Sequence, residues 1–279
     1  MKTMHITPTL VARIDRFSVD FHAARMSAAA ALPGNPFGVE VRAFGDGVAV
    51  KVRHPLLVSK NRIAGFRASD LPELGDLLSF FRSDGLRFTL SVPPGQMTPA
   101  LFQNLTEAGL WSEGSGTVPA LTVPTSVSAG LPLASAGEVF VRRAGPEEKD
   151  LYLNLFRLAF ADRDESAPEY RAFQWAEDAL PGSVRYVAEM DDNPVAMASL
   201  PIVDGVGFFG TAGVIPAYRR RGIQSALIRQ RTLDAAELGC DLILGGSSPG
   251  TAEFRNFERA GLSLVPTGSV WKEVAAVSK

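Results

Sequence analysis

One cysteine, three histidines and the absence of any long apolar run set the first limits on this chain of 279 residues. With Cys240 alone, neither an intrachain disulfide nor a cysteine-based metal cluster can form, and nothing demands an oxidising compartment. His5, His22 and His54 all lie in the first fifth of the sequence, which argues against a histidine-based metal site. No stretch reaches the roughly 18 uninterrupted apolar residues of a membrane-spanning helix, and the opening MKTMHITPTLVARIDRFS lacks the apolar run of a signal peptide. Excess charge is missing too: 28 Lys and Arg stand against 30 Asp and Glu, for a formal net charge of −2. That balance gives no global attraction to nucleic acid or anionic lipid. The expectation is a cytoplasmic protein with no metal, no membrane partner and no nucleic-acid partner, in which any anion site is a local arrangement.

What is present is the composition of a globular protein, 46% hydrophobic and 21% charged, with room for one large domain or two of ordinary size. Residues 123–137, VPTSVSAGLPLASAG, carry no charge and read as a linker between residues 1–122 and 138–279. The two halves share a pattern. LFQNLTEAGL begins at Leu101 and, at an offset of 152 residues, EFRNFERAGL begins at Glu253, so that Asn104 matches Asn256 and Gly109 matches Gly261. Upstream of each copy an apolar-periodic helix ends at a glycine (Gly85, Gly239) and a short apolar strand follows. An offset near half the chain length is what tandem duplication gives.

The second half alternates strands and helices. Strand 139–143, helix 146–160, helix 168–180 and a hairpin of 184–190 with 195–202 come first, followed by a strand over 207–215. Helix 222–238 ends at Gly239, with Ile223, Ala226, Leu227, Leu233 and Ala236 on its apolar side. Strand 242–244, helix 251–259 and a strand pair within 262–274 complete it. The class is α/β with a mixed sheet: antiparallel strands first, a βαβ crossover later.

The chemistry is concentrated in GTAGVIPAYRRRGIQSAL, from Gly210 to Leu227. An apolar strand breaks at Pro216, passes Arg219, Arg220 and Arg221, and enters a helix at Gly222. A helix N-terminus presents unpaired N–H groups and the positive end of the helix dipole. Gly222 allows close approach of a ligand to the backbone, and guanidinium groups match phosphate geometry. An arginine run alone is usually a solvated turn; between strand and helix it makes a pyrophosphate site.

This segment resembles the pyrophosphate-binding motif of the GNAT superfamily of acyl-CoA-dependent N-acetyltransferases, here Arg219-Arg220-Arg221-Gly222-Ile223-Gln224 after Val214-Ile215-Pro216. The element order of the whole second half is similar to that fold. The resemblance implies acetyl-CoA as cosubstrate, with backbone N–H groups from Arg221 through Ile223 and Gln224 to Ser225 around the pyrophosphate and Arg219 to Arg221 supplying charge. It implies that the edge at Val214 takes the pantetheine arm as an added strand, and that the Val214 N–H serves the developing oxyanion. Strand 242–244 would splay away to open a slot, with Asn256 facing it. A primary amine of a small molecule or peptide would attack the thioester directly. Gln224 departs from the family pattern, which has a small residue there, and Phe257 stands where many members carry a proton-donating Tyr. Glu189 is the first candidate for the base, then Asp162, Asp164 and Glu165; a solvated carboxylate is the commoner role of each. The alternative is a CoA-binding module without turnover, regulatory or interactive.

The first half is expected to be a degenerate copy from about 39 to 122. Arg62-Ile63-Ala64-Gly65 fits the phosphate motif formally, but Asp70, expected to cap helix 71–83, would repel phosphate. In that reading the degenerate copy walls one side of the acceptor pocket.

Overall fold

The computed structural model describes residues 5–122, 139–161, 167–177, 180–247 and 250–273. The expected linker and the acids Asp162, Asp164 and Glu165 lie outside the described residues. What is described falls into two compact units, and they do not divide at a single point: one holds 118–264, the other 6–117 together with the chain from Val265 on. A cut at 123–137 assigns the last strand to the second half, whereas its Trp271 belongs to the core of the N-terminal unit.

The N-terminal unit begins with α1 (Pro8–Ala30), started by Thr7, whose side chain accepts from the Leu10 N–H at 3.2 Å, and by Pro8 in the first turn. Its sheet runs β1 (Val39–Phe44), β2 (Gly47–Val52), β3 (Arg62–Ala64), β4 (Thr89–Val92), and then residues 269–272 of the last strand. Only β3 and β4 are parallel, as α2 (Leu74–Arg82) crossing between them requires. Phe66, Leu77, Phe81, Leu90, Leu105 and Trp271 form its core. The α-helix expected over 71–83 starts later, because Ala68–Glu73 winds as a 3-10 turn containing Pro72. Asp70 is therefore not an α-helix cap. It is buried, and its Oδ2 accepts from the Arg67 N–H at 2.8 Å, so a carboxylate sits where a phosphate loop would need bare donors.

The C-terminal unit takes in the end of β5 (Leu110–Thr122), and then β6 (Val139–Ala144), α4 (Lys149–Ala159) and α5 (Pro168–Glu177). The hairpin of β7 (Val184–Met190) and β8 (Asn193–Leu200) follows; α3 (Pro99–Glu107) precedes β5 in the N-terminal unit. The hairpin turns at Asp191 and Asp192, both with positive φ (52° and 59°), the left-handed conformation that a two-residue turn needs. Short β9 (Ile202–Val203) leads to β10 (Val206–Phe209), β11 (Ala212–Val214), α6 (Ile223–Glu237), β12 (Leu242–Gly245), α7 (Ala252–Arg259) and β13 (Ser263–Glu273). The strand pair expected over 262–274 is this single strand. The ladder β11-β8-β7-β6 is antiparallel throughout, while β12 pairs in parallel with β10 and antiparallel with residues 120–122 of β5. The buried face of α6 includes Ile223 and Leu227 as expected, while Ala226, Leu233 and Ala236 are only partly buried and Ile228, Arg231, Thr232 and Asp234 are buried beside them. Those polar residues blur the apolar stripe that sequence periodicity relies on.

The repeated motif folds alike in both units. Thr98 caps α3 and Thr251 caps α7, each accepting from the N–H three residues on at 3.1 Å. Each helix closes with an alanine N–H donating to the matched asparagine carbonyl at 3.0 Å, then a left-handed glycine, Gly109 at φ 84° and Gly261 at φ 89°.

Candidate active site

The strand expected over 207–215 is broken at Gly210 and Thr211, and the break makes the site. Before it, β10 holds β12 through Phe209 opposite Gly245; after it, β11 pairs with β8 and with no other strand among the described residues. Arg231 accounts for the break. It is fully buried, and its Nη1 donates to the carbonyls of Ser199 (3.1 Å) and Gly210 (3.4 Å) that a continuous ladder would use. A Cβ at Gly210 would run into Ser199 Oγ and lie 2.9 Å from Pro201 Cδ, so a side chain there would force its neighbours to shift.

The register then aims the free edge of β11. Ser199 N–H donates to the Thr211 carbonyl at 2.9 Å and Ile215 N–H to the Val195 carbonyl at 3.0 Å. Ladder groups alternate, so Ala212 and Val214 present their N–H groups away from β8, to the unpaired side. The Val214 carbonyl on that side accepts from Arg219 Nε at 3.1 Å, and Arg219 Nη2 donates to the Ala159 carbonyl at 2.9 Å. Arg219 thus ties the loop to β11 and α4, and much of its hydrogen-bonding capacity is spent on the protein itself.

Beyond Arg219 the backbone passes through the left-handed region at Arg220 (φ 64°) and Gly222 (φ 81°) before α6 begins. Gly222 is the N-cap and supplies no side-chain bond, and the first turn contains no acid. The N–H groups of Ile223, Gln224 and Ser225 are therefore left to an outside acceptor. Ile223 itself is buried in the core, so only its backbone is offered. Arg221 turns away, stacking over Tyr218 at 5.5 Å and reaching Met190 Sδ at 3.8 Å.

These parts open on one cavity of about 760 Å³, lined by Ala212, Gly213 and Val214, by the loop through Arg219, Arg220 and Gly222, by Gln224 and Ser225, and by one face of α7. Asn256 lines it as expected, its Oδ1 accepting from Arg259 at 2.9 Å. The sequence pattern had not marked Arg255 and Arg259, which also line it; among the described residues four arginines and one carboxylate line it.

Residues 150–261 match the model of the acetyltransferase (GNAT) family. This segment is a GNAT domain. Solved structures are similar over nearly the whole chain. A GCN5-related N-acetyltransferase from Kribbella flavida is 20% identical with a TM-score of 0.59, over 90% of this chain and 95% of that one. A tandem GNAT protein from the clavulanic acid biosynthesis pathway is 13% identical with a TM-score of 0.58, over 96% of each. A conserved protein of unknown function from Staphylococcus epidermidis is 11% identical with a TM-score of 0.56, over 88% of this chain and 98% of that one. At these identities the likeness is one of fold. No curated protein sequence matches the chain.

Glu189 does not reach the cavity of the GNAT domain. It lies on β7, two strands from β11, where it accepts from Arg142 Nε at 2.9 Å and opens on a separate hollow with Phe140, Asp191 and Asp192. The same Arg142 is also held by Glu148. Among the described residues the carboxylate that lines the cavity is Glu253, in the first turn of α7. Burial pushes its carboxyl above the ordinary range, partly offset by the Arg231 charge. The signal for it was available: Glu253 precedes Asn256 by three residues, and that spacing puts both on one helix face.

Phe257 is 1% exposed and stacks on Phe209, centroids 5.5 Å apart. A Cβ on Gly245 would come within 2.8 Å of the ring. We expect Phe257→Ala to cost about 3–5 kcal/mol, seen as a fall of about 10 °C in melting temperature, and to affect packing or CoA affinity more than the pH profile of turnover. A profile with one limb displaced only in this variant would place the ring at the reacting atoms instead.

Proposed function

We propose that the GNAT domain transfers an acetyl group from acetyl-CoA to a primary amine of a small molecule or peptide by direct attack. One observation carries this: the uncapped N-terminus of α6 and the unpaired edge of β11 open on the same arginine-lined cavity. That arrangement fits an elongated ligand with a phosphate-rich end and an amide-bearing arm. Ile223, Gln224 and Ser225 would donate to the pyrophosphate, with Arg220 beside them and Arg221 contributing only long-range charge. Arg219 holds the loop in shape. The arm would extend β11, and the Val214 N–H, which points away from β8, would serve the developing oxyanion. Asn256 would contact the arm or the acceptor.

The burial of Phe257 favours a second reading, a CoA-binding module without turnover, because that position offers no proton to a departing thiolate. Free thiol released from acetyl-CoA in the presence of primary alkylamines, amino sugars and short peptides separates the two. Steady release, with calorimetry reaching one acetyl-CoA per chain, is expected. Binding without release points to the module, and two equal sites would mean that Asp70 does not block the N-terminal unit.

A further inference from the structure

We infer that Glu253 is the general base that takes the proton from the acceptor ammonium. The inference rests on the acetyl-transfer reading above and adds the residue which that reading lacks. Among the described residues Glu253 is the one carboxylate lining the cavity, on the helix face of Asn256; the β11 edge lines the same cavity. It makes no hydrogen bond or ion pair within the described residues, unlike Glu189 and Glu148, which are both held by Arg142. An acid in the first turn of α7 suits the helix dipole; a half-buried carboxylate there that makes no bond within the described residues and opens on the cavity is also free to take a proton.

The charged groups around it come from three elements: Arg231 on α6, Arg219 and Arg220 on the loop, and Arg255 and Arg259 on its own helix. Arg255 and Arg259 are engaged with the Gly250 carbonyl and Asn256, and Arg219 with backbone carbonyls. Arg231 Nη2 is buried with no hydrogen-bond partner among the described residues, and burial lowers that guanidinium to about 10. Desolvation raises the Glu253 carboxyl and the buried Arg231 charge partly offsets that rise, so the net shift is in the direction that strengthens a carboxylate as a base.

The step balances. Glu253 accepts one proton from the ammonium, and the free amine nitrogen bonds to the thioester carbon as the C–S bond breaks. The nitrogen's second proton passes to the departing sulfur, giving thiol and amide, and Glu253 returns its proton to solvent.

Glu253→Gln should lower kcat at pH 7 about 100-fold while leaving acetyl-CoA affinity within about twofold. The deficit should shrink as pH rises and the acceptor deprotonates unaided, and Glu253→Asp should recover part of the rate. A second readout needs no turnover. A carboxyl whose pKa is raised on folding destabilises the native state once pH exceeds its unfolded value. Glu253→Gln should therefore melt higher than wild type at pH 7 and equal to it at pH 4. A deficit equal at every pH, or unchanged turnover, would overturn the role of Glu253 while leaving acetyl transfer standing. A lower melting temperature at pH 7 would show a structural carboxylate and overturn it too. Wild type that binds acetyl-CoA but releases no thiol would sink both.

Discussion

Replacing Gly222 with glutamate is expected to abolish acetyl-CoA binding while the protein still folds. Gly222 sits at φ 81° at the start of α6, where an L-residue is strained by about 1–2 kcal/mol. That is tolerable for a domain of this size. The ligand is affected far more. A carboxylate at the helix N-terminus competes for the N–H groups of Ile223, Gln224 and Ser225, and each charge-assisted hydrogen bond lost is worth about 1.5–3 kcal/mol. Affinity should fall at least about 100-fold. In a thermal-shift titration, wild type should gain stability by mass action, and Gly222→Glu should gain none. Gly222→Asn tolerates the left-handed region without adding charge and should keep most of the shift. An unchanged shift in the glutamate variant would remove the pyrophosphate from this loop.

Separating the halves should be the most damaging change of all. Residues 137–279 expressed alone lack the end of β5, which leaves Leu242–Leu244 of β12 without its antiparallel partner. They also carry the end of β13 away from β4, with which residues 269–272 pair. Trp271, 1% exposed and packed at 5.1 Å against Phe102, would meet water. Two unpaired edges and an exposed indole are an invitation to aggregate. The fragment should be recovered mainly in the insoluble fraction, or inactive if soluble. A soluble fragment as active as the full chain would show that these pairings are dispensable.

Much of the site was legible because its chemistry is local. Gly222, the strand before it and the helix after it are contiguous in the chain, so backbone geometry alone places N–H groups at the end of α6. The caps Thr98 and Thr251 and the closing Gly109 and Gly261 are local too, which is why the repeat could be read as two similar helices. The edge of α2 was misplaced because Pro72 sits inside an apolar periodic run, and periodicity does not show where a 3-10 turn gives way to an α-helix.

Composition and local pattern thus determined by themselves the α/β class, the tandem pattern and the glycine-arginine loop that enters α6, since each is written in residues within a few turns of one another. Tertiary structure decided the rest. It sent Arg219 to carbonyls and Arg221 to Tyr218, placed Glu189 two strands from β11, and brought Glu253 into the cavity over the buried Arg231. It also carried Trp271 into the core of the N-terminal unit. A charged side chain reaches several ångströms in any direction from its backbone, and a strand's partner lies far away along the chain. Neither is fixed until the sheet ladders close.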